Sequence, residues 1–245
     1  MRFKLRPVLL EMEQLYRVPP SKERFERYLY KLQGNNKNDM ILPIGGYNPM
    51  GNDHFSQKLN ALIKLETEEI AANVLDEIND LLNEEPNQIF QVVINLADDV
   101  GGAWSHRYMT DYSTKFQITP LLKRNFCTPY FWTSEDFDQD LVTRRVQAYI
   151  YRTRFQSLYG SPITLENHLK QEIFVERNIG SAYNPEENYN LDRCKSFYEQ
   201  HCKSEDYGLI FNFLYGDEIS KSLGYKTYGC KKGESLQFIL ERTQA

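Results

Sequence analysis

The stretch "QIFQVVINLADD", Gln88 to Asp99, decides how this chain folds. Ile89, Val92, Val93 and Leu96 would line one face of a helix, whereas Phe90, Val92, Ile94 and Leu96 alternate as a half-buried strand does. Two arguments favour the strand. The segment is short and rich in β-branched residues, which suit a pleated surface. A helix ending at Asp98-Asp99 would also place two negative charges at the negative end of its dipole, a penalty of about 0.3–1 kcal/mol each.

The same design recurs further along. "CTPYFWTSEDFDQD" (Cys127–Asp140) runs aromatic residues into acids and then a helical pattern, and "YGLIFNFLYGDEISKSLG" (Tyr207–Gly224) does likewise. Alternating strand-like and helical segments predict a helix-rich α/β fold with a small, mainly parallel sheet. Its strands are expected near residues 89–97, 127–133 and 208–214. A predominantly α fold is the alternative, because continuous apolar runs also suit buried helices.

Between Ser56 and Asn83, Leu59, Leu62, Ile63, Ile70, Val74 and Ile78 recur at helical spacings. Residues 1–33 read as helix-forming, interrupted at Pro19-Pro20, with Ser21 capping the next helix and Gly34 ending it. The expected organisation is a single domain over 1–245, with a helical and loop portion, 1–55, packed on an α/β core, 56–245. At this length roughly 70–75% of the unfolded surface can be buried, so the core needs no staples.

In open α/β sheets, ligands lie beyond the carboxyl ends of strands. Thr133-Ser134-Glu135-Asp136 reads as a capping box for the helix that follows. Asp98 and Asp99 are different, because Gly101 and Gly102 separate them from the next helix and leave them badly placed to cap it. In that helix Trp104, Tyr108, Tyr112 and Phe116 fall four apart, as do Arg107, Asp111 and Lys115. The aromatic stripe reads as core and the charged one as mutual ion pairing. A helix start behind a glycine pair presents unpaired N–H groups that suit an anion.

The candidate site therefore comprises Asp99 as base or metal ligand, His106 as proton donor or hydrogen-bond partner and Arg107 as anion clamp, with Asp98, Gly101, Gly102 and Trp104 around them. The glycine-rich loop "GGYNPMGNDH" (Gly45–His54) reads most plainly as a loop whose Asn52 or Asp53 caps the next helix, and its site reading contributes Asn48, Gly51 and His54, since glycines let backbone approach a ligand closely. The partner expected is a small polar or anionic molecule. Whether the chemistry is catalytic is left open, as are the cofactor and metal. Neither a Gly-Lys-Ser/Thr phosphate loop, a Gly-x-Gly-x-x-Gly fingerprint nor a Gly-x-Ser-x-Gly elbow occurs. "LENHLKQEIFVER" puts His168, Glu172 and Glu176 one turn apart, but a second histidine on that face is lacking, so a surface His–Glu contact is expected there.

Composition narrows the classes. The net charge is −5 with a sequence pI near 5.5, without the basic footprint of a nucleic-acid binder. One basic stripe, Arg144, Arg145, Arg152 and Arg154 among Tyr149, Tyr151 and Phe155, supports an alternative role as a protein–protein or homo-oligomer surface. Its plainer reading is pairing with the chain's own acids. The four cysteines form no Cys-x-x-Cys pair. The apolar run near the N-terminus is broken by Glu11 and Glu13, and no stretch approaches the roughly 20 apolar residues of a membrane span. The cytoplasm is the compartment these features predict.

Overall fold

The computed structural model describes residues 1–35, 39–82, 88–100, 104–180 and 191–243. The chain forms a helix-rich α/β fold in two compact units. The first comprises Met1–Thr114 with Thr119–Ile150, and the second Lys115–Ile118 with Tyr151–Ala245.

The first unit opens with a strand, β1 (Arg2–Leu5), where a helix was expected. Phe3 is buried between flanking exposed or half-buried residues, so its local period is two and the helical pattern begins only after Pro7. Helices α1 (Leu9–Tyr16), α2 (Lys22–Gln33), α3 (Asp53–Lys64) and α4 (Thr67–Leu82) follow. Ser21 caps α2 by accepting from the Arg24 N–H, and Gly34 ends it at φ +67°, as its sequence signals predict.

The deciding stretch is a strand in two pieces, β2 (Ile89–Val92) and β3 (Asn95–Ala97). After α5 (Arg107–Phe116) and α6 (Thr119–Leu122) come β4 (Phe126–Cys127) and β5 (Tyr130–Trp132). All pairings are parallel: β1–β2–β4 form one sheet and β3–β5 a second. Gln91 faces Phe126 and Asn95 faces Tyr130, so the register offset of 35 residues is the same in both sheets. The Val93 and Asn95 N–H groups donate to Cys127 and Pro129 across the break, at 2.9 and 2.8 Å. The two sheets thus behave as one interrupted strand pair, whose carboxyl ends lie side by side at Asp98 and Thr133. Val92, Val93, Ile94, Leu96 and Phe131 are fully buried along it. The side chain of Asn79 on α4 both donates to and accepts from the Phe3 backbone, at 2.8 and 2.9 Å, which satisfies part of the edge of β1.

Helix α7 (Gln139–Tyr159) begins beyond the expected capping box. Asp138 caps it by accepting from the Leu141 N–H at 2.7 Å, while Thr133, Ser134 and Glu135 are engaged elsewhere. In the second unit, α8 (Leu165–Ile179) starts with a complete capping box made by Thr164 and Asn167. Helices α9 (Leu191–His201), α10 (Tyr207–Tyr215), α11 (Asp217–Ser222) and α12 (Glu234–Thr243) complete it. The strand expected at 208–214 is the helix α10. Asp206 accepts from the Leu209 N–H at 2.6 Å at its start, and Gly216, at φ +86°, closes it. An apolar run buried in the protein shows no period of its own, so these two caps decide its structure.

The second unit is held by an internal polar network as well as by apolar packing. Arg152 donates to both carboxylate oxygens of Glu172 at 2.8 and 2.6 Å, and both residues are buried. Gln156 and Gln171 join at 2.7 Å, and each also donates to the Lys115 carbonyl. His168 is buried against the Phe116 ring, 4.8 Å between centroids. The His–Glu pair expected on a surface is therefore interior.

Candidate functional site

The loop before α3 is irregular but tied down at many points. The buried Arg24 guanidinium donates to the carbonyls of Val18, Pro49 and Gly51, at 3.1, 2.6 and 2.8 Å. Tyr16 donates to the Asn48 carbonyl at 2.6 Å, Tyr28 to that of Ile44 at 3.1 Å, and Tyr47 to that of Ile94 at 2.9 Å. Asn95, buried in β3, accepts from the Gly46 N–H at 3.0 Å and donates to the Pro43 carbonyl at 2.8 Å. A Cβ at Gly46 would come within 2.9 Å of the Tyr130 ring, so this close approach requires glycine. Backbone that would otherwise be mobile is pre-organised by side chains from α1, α2 and β3.

This loop and the first turn of α3 bring Asn48 and His54 to the end of β3. Asp98 is 2% exposed. Its Oδ2 accepts from the Asn48 amide at 2.8 Å, its Oδ1 lies 2.8 Å from His54 Nε2, and the Thr133 hydroxyl stands 3.1 Å away. A buried carboxylate is tolerable only with such partners. A carboxylate can only accept, so the His54 Nε2–H donates, and in the neutral ring Nδ1 is the nitrogen with the lone pair. The His54 side chain is 39% exposed, and Nδ1 has no hydrogen-bond partner among the described residues. A part-exposed imidazole fixed by a buried acid can accept a proton or a hydrogen bond from a bound molecule.

Asp99 belongs to a neighbouring network. It accepts from the Ser134 N–H and hydroxyl, at 3.0 and 2.6 Å, and from Arg107 at 3.1 Å, while its own N–H donates to Thr133. Burial works against its charge, but Ser134 and the Arg107 guanidinium outweigh this and hold its carboxyl below the usual aspartate value. Arg107 also reaches Glu135 at 2.5 Å and lies 4.5 Å over the Trp132 ring. Glu135 in turn pairs with Arg145, and its carbonyl accepts from Lys58. The charged groups beside the Asp98–His54 pair thus neutralise one another.

Of the residues singled out from sequence, Asn48, His54, Asp98, Asp99 and Arg107 lie in these two adjoining networks. Gly51 is buried behind them with its carbonyl on Arg24. Trp104 precedes α5 instead of starting its aromatic stripe. It is 47% exposed, with its indole N–H 3.3 Å from the Gly45 carbonyl. The next residue, Ser105, donates its N–H to the Asp98 carbonyl at 3.1 Å, so the chain turns back onto the site. His106 is exposed, its Nδ1 accepting weakly from the Met109 N–H at 3.4 Å. Gly101 and Gly102 lie outside the described residues.

Thr133, Ser134, Glu135, Asn95 and Arg24 were not identified from sequence as parts of this site. A capping pattern disguised the first three, and the role of the other two follows only from tertiary packing. Among the described residues no group of three or more His, Cys, Asp or Glu is arranged to hold a metal ion, and no helix is long and apolar enough to cross a membrane. The Cys194 and Cys230 thiols are pushed up to about 11 and about 12 by burial, which suppresses thiolate chemistry. No protein-family model, curated protein or solved structure matches the chain.

Proposed function

We propose that the protein is an enzyme or binding protein for a small polar or anionic molecule, held beyond the carboxyl end of β3. The observation that carries this reading is the His54–Asp98 pair, a part-exposed imidazole fixed by a fully buried acid on a pre-organised loop. The base role first assigned to Asp99 passes to His54 Nδ1, with Asp98 as the residue that orients it. Asp99 and Arg107 serve as the support that positions Thr133 and the turn after β5. The exposed Trp104 offers an apolar face beside the Gly45 carbonyl. With Arg107 already engaged by two acids, a hydroxyl- or amide-bearing ligand fits this site better than a strongly charged one.

An interaction module built on the basic stripe of α7 gains less support. Arg145 pairs with Glu135, and Arg152 is buried on Glu172, so these two arginines are used within the protein.

Imidazole nitrogen chemical shifts of His54 during titration with a panel of polyols, amides and carboxylic acids test this reading. A ligand is expected to move Nδ1 first. Binding that leaves the His54 nitrogens unmoved while shifting other residues would refute the assignment.

A further inference from the structure

A cavity of about 870 Å³ lies in the second unit, walled by the C-terminal part of α7, by α8 and α9, and by the end of α12. This is within the roughly 300–1,000 Å³ range of small-molecule pockets. One side is apolar. Phe155 packs on Tyr159 and Phe174, with centroids 4.9 and 5.6 Å apart, and Ile173 continues the wall. Tyr159 and Ile163, also on the wall, are 68% and 61% exposed, an unusual degree for such side chains.

The other side is cationic. The Arg242 guanidinium lies over the rings of Tyr198 and Phe238, at 4.9 and 4.5 Å, and has no carboxylate partner among the described residues. A guanidinium held over aromatic rings and not on a carboxylate keeps N–H donors available to an anion. Arg177 is directed at main-chain carbonyls, those of Arg242 and Thr243 at 2.9 and 3.3 Å. Glu166, the acid on this wall among the described residues, is neutralised by Lys170 at 2.7 Å and by Lys203. The wall therefore carries Lys170, Arg177 and Arg242 against one carboxylate, within a chain of net charge −5.

We propose that this cavity is a binding site for an anionic amphiphile, with an aromatic or branched apolar body against Phe155, Ile173 and Phe174 and its acid group at Arg242. The test uses anilinonaphthalene sulfonate and its uncharged analogue phenylnaphthylamine, titrated into the full chain and followed by fluorescence. The sulfonate is expected to bind at one site about tenfold more tightly than the analogue, the difference of one charge-assisted contact. Arg242→Gln removes that preference without weakening the neutral probe, and Ile173→Trp, which fills the cavity, abolishes both. Far-UV dichroism and the melting temperature establish that each variant is folded. Equal affinities for the two probes in the wild type, or undiminished binding in folded Ile173→Trp, would overturn the proposal.

Discussion

The imidazole Nε2 of His54 stands 2.8 Å from a carboxylate oxygen of Asp98, which joins a part-exposed ring to an acid that is 2% exposed. The two ends of this contact should respond differently to truncation. Asp98→Ala strands the Asn48 amide as well as His54, while the Thr133 hydroxyl keeps Asp99 as an acceptor, and is expected to cost about 1–3 kcal/mol of stability. His54→Ala removes a part-exposed ring and leaves Asp98 its Asn48 and Thr133 donors, so it is expected to cost less than Asp98→Ala. Urea unfolding measures both. Equal losses would mean that His54 is there to hold the fold together.

Arg107 and Asp99 carry the second expectation. The Asp99 carboxyl is held below the usual aspartate value by Ser134 and Arg107 against the effect of burial. An acid whose pKa is depressed by folding stabilises the native state above its unfolded pKa of about 3.9, and that contribution is lost as pH falls through the folded value. Arg107→Ala raises the folded value and is therefore expected to move acid unfolding to higher pH. A midpoint identical to the wild type would contradict the pairing. Arg107→Lys is expected to recover only part of the effect, because one ammonium cannot reach Asp99 and Glu135 with the geometry of a guanidinium.

The Arg152–Glu172 pair makes a third case. Both side chains are buried, so losing one leaves an uncompensated charge, and Arg152→Met or Glu172→Leu alone is expected to cost about 3–5 kcal/mol. The double variant is expected to recover most of this loss. Additive losses in the double-mutant cycle would show that the two groups are not coupled.

His168 supplies a pH dependence of opposite chemical origin. Burial lowers its pKa against the opposing influence of the Thr164 carbonyl and Glu172, so the native state holds a neutral ring. The unfolded chain takes up the proton first, and stability is therefore expected to fall as pH drops below the ordinary histidine value of about 6.5. His168→Phe, which keeps a ring against Phe116, is expected to flatten that slope between pH 7 and 5. An unchanged slope would assign it to another group.

How far the sequence reveals this molecule can be followed residue by residue. Phe90, Val92, Ile94 and Leu96 alternate, and their strand is present with the parallel partner expected near residue 130. Leu209 to Leu214 are apolar except for Asn212, so periodicity could not separate strand from helix, and the caps Asp206 and Gly216 were the available signal. Phe3 lies in a strand of four residues, too short for its alternation to stand out in the sequence. At the site, the glycine loop and the acids after β3 stood out because their turn chemistry was unusual. Their pairing across 44 residues, His54 with Asp98, was not legible, because it is created by the fixing of the loop through Arg24, Tyr16 and Asn95. Glu135 was hidden for a related reason, since an acid after a strand resembles a cap until its two arginines are placed.

The most direct measurement is a thermal-shift screen of the wild type, His54→Ala and Asp98→Asn against polyols, amides, carboxylic acids and phosphosugars. Binding to the native state adds about 2.7 kcal/mol at a hundredfold excess over Kd, well within reach of the method. The expected result is at least one compound that raises the wild-type melting temperature and loses its effect in both variants, with His54→Ala still folded. If no compound in these classes stabilises the wild type, or if every stabilising compound acts equally on folded His54→Ala, then the end of β3 is not the ligand site.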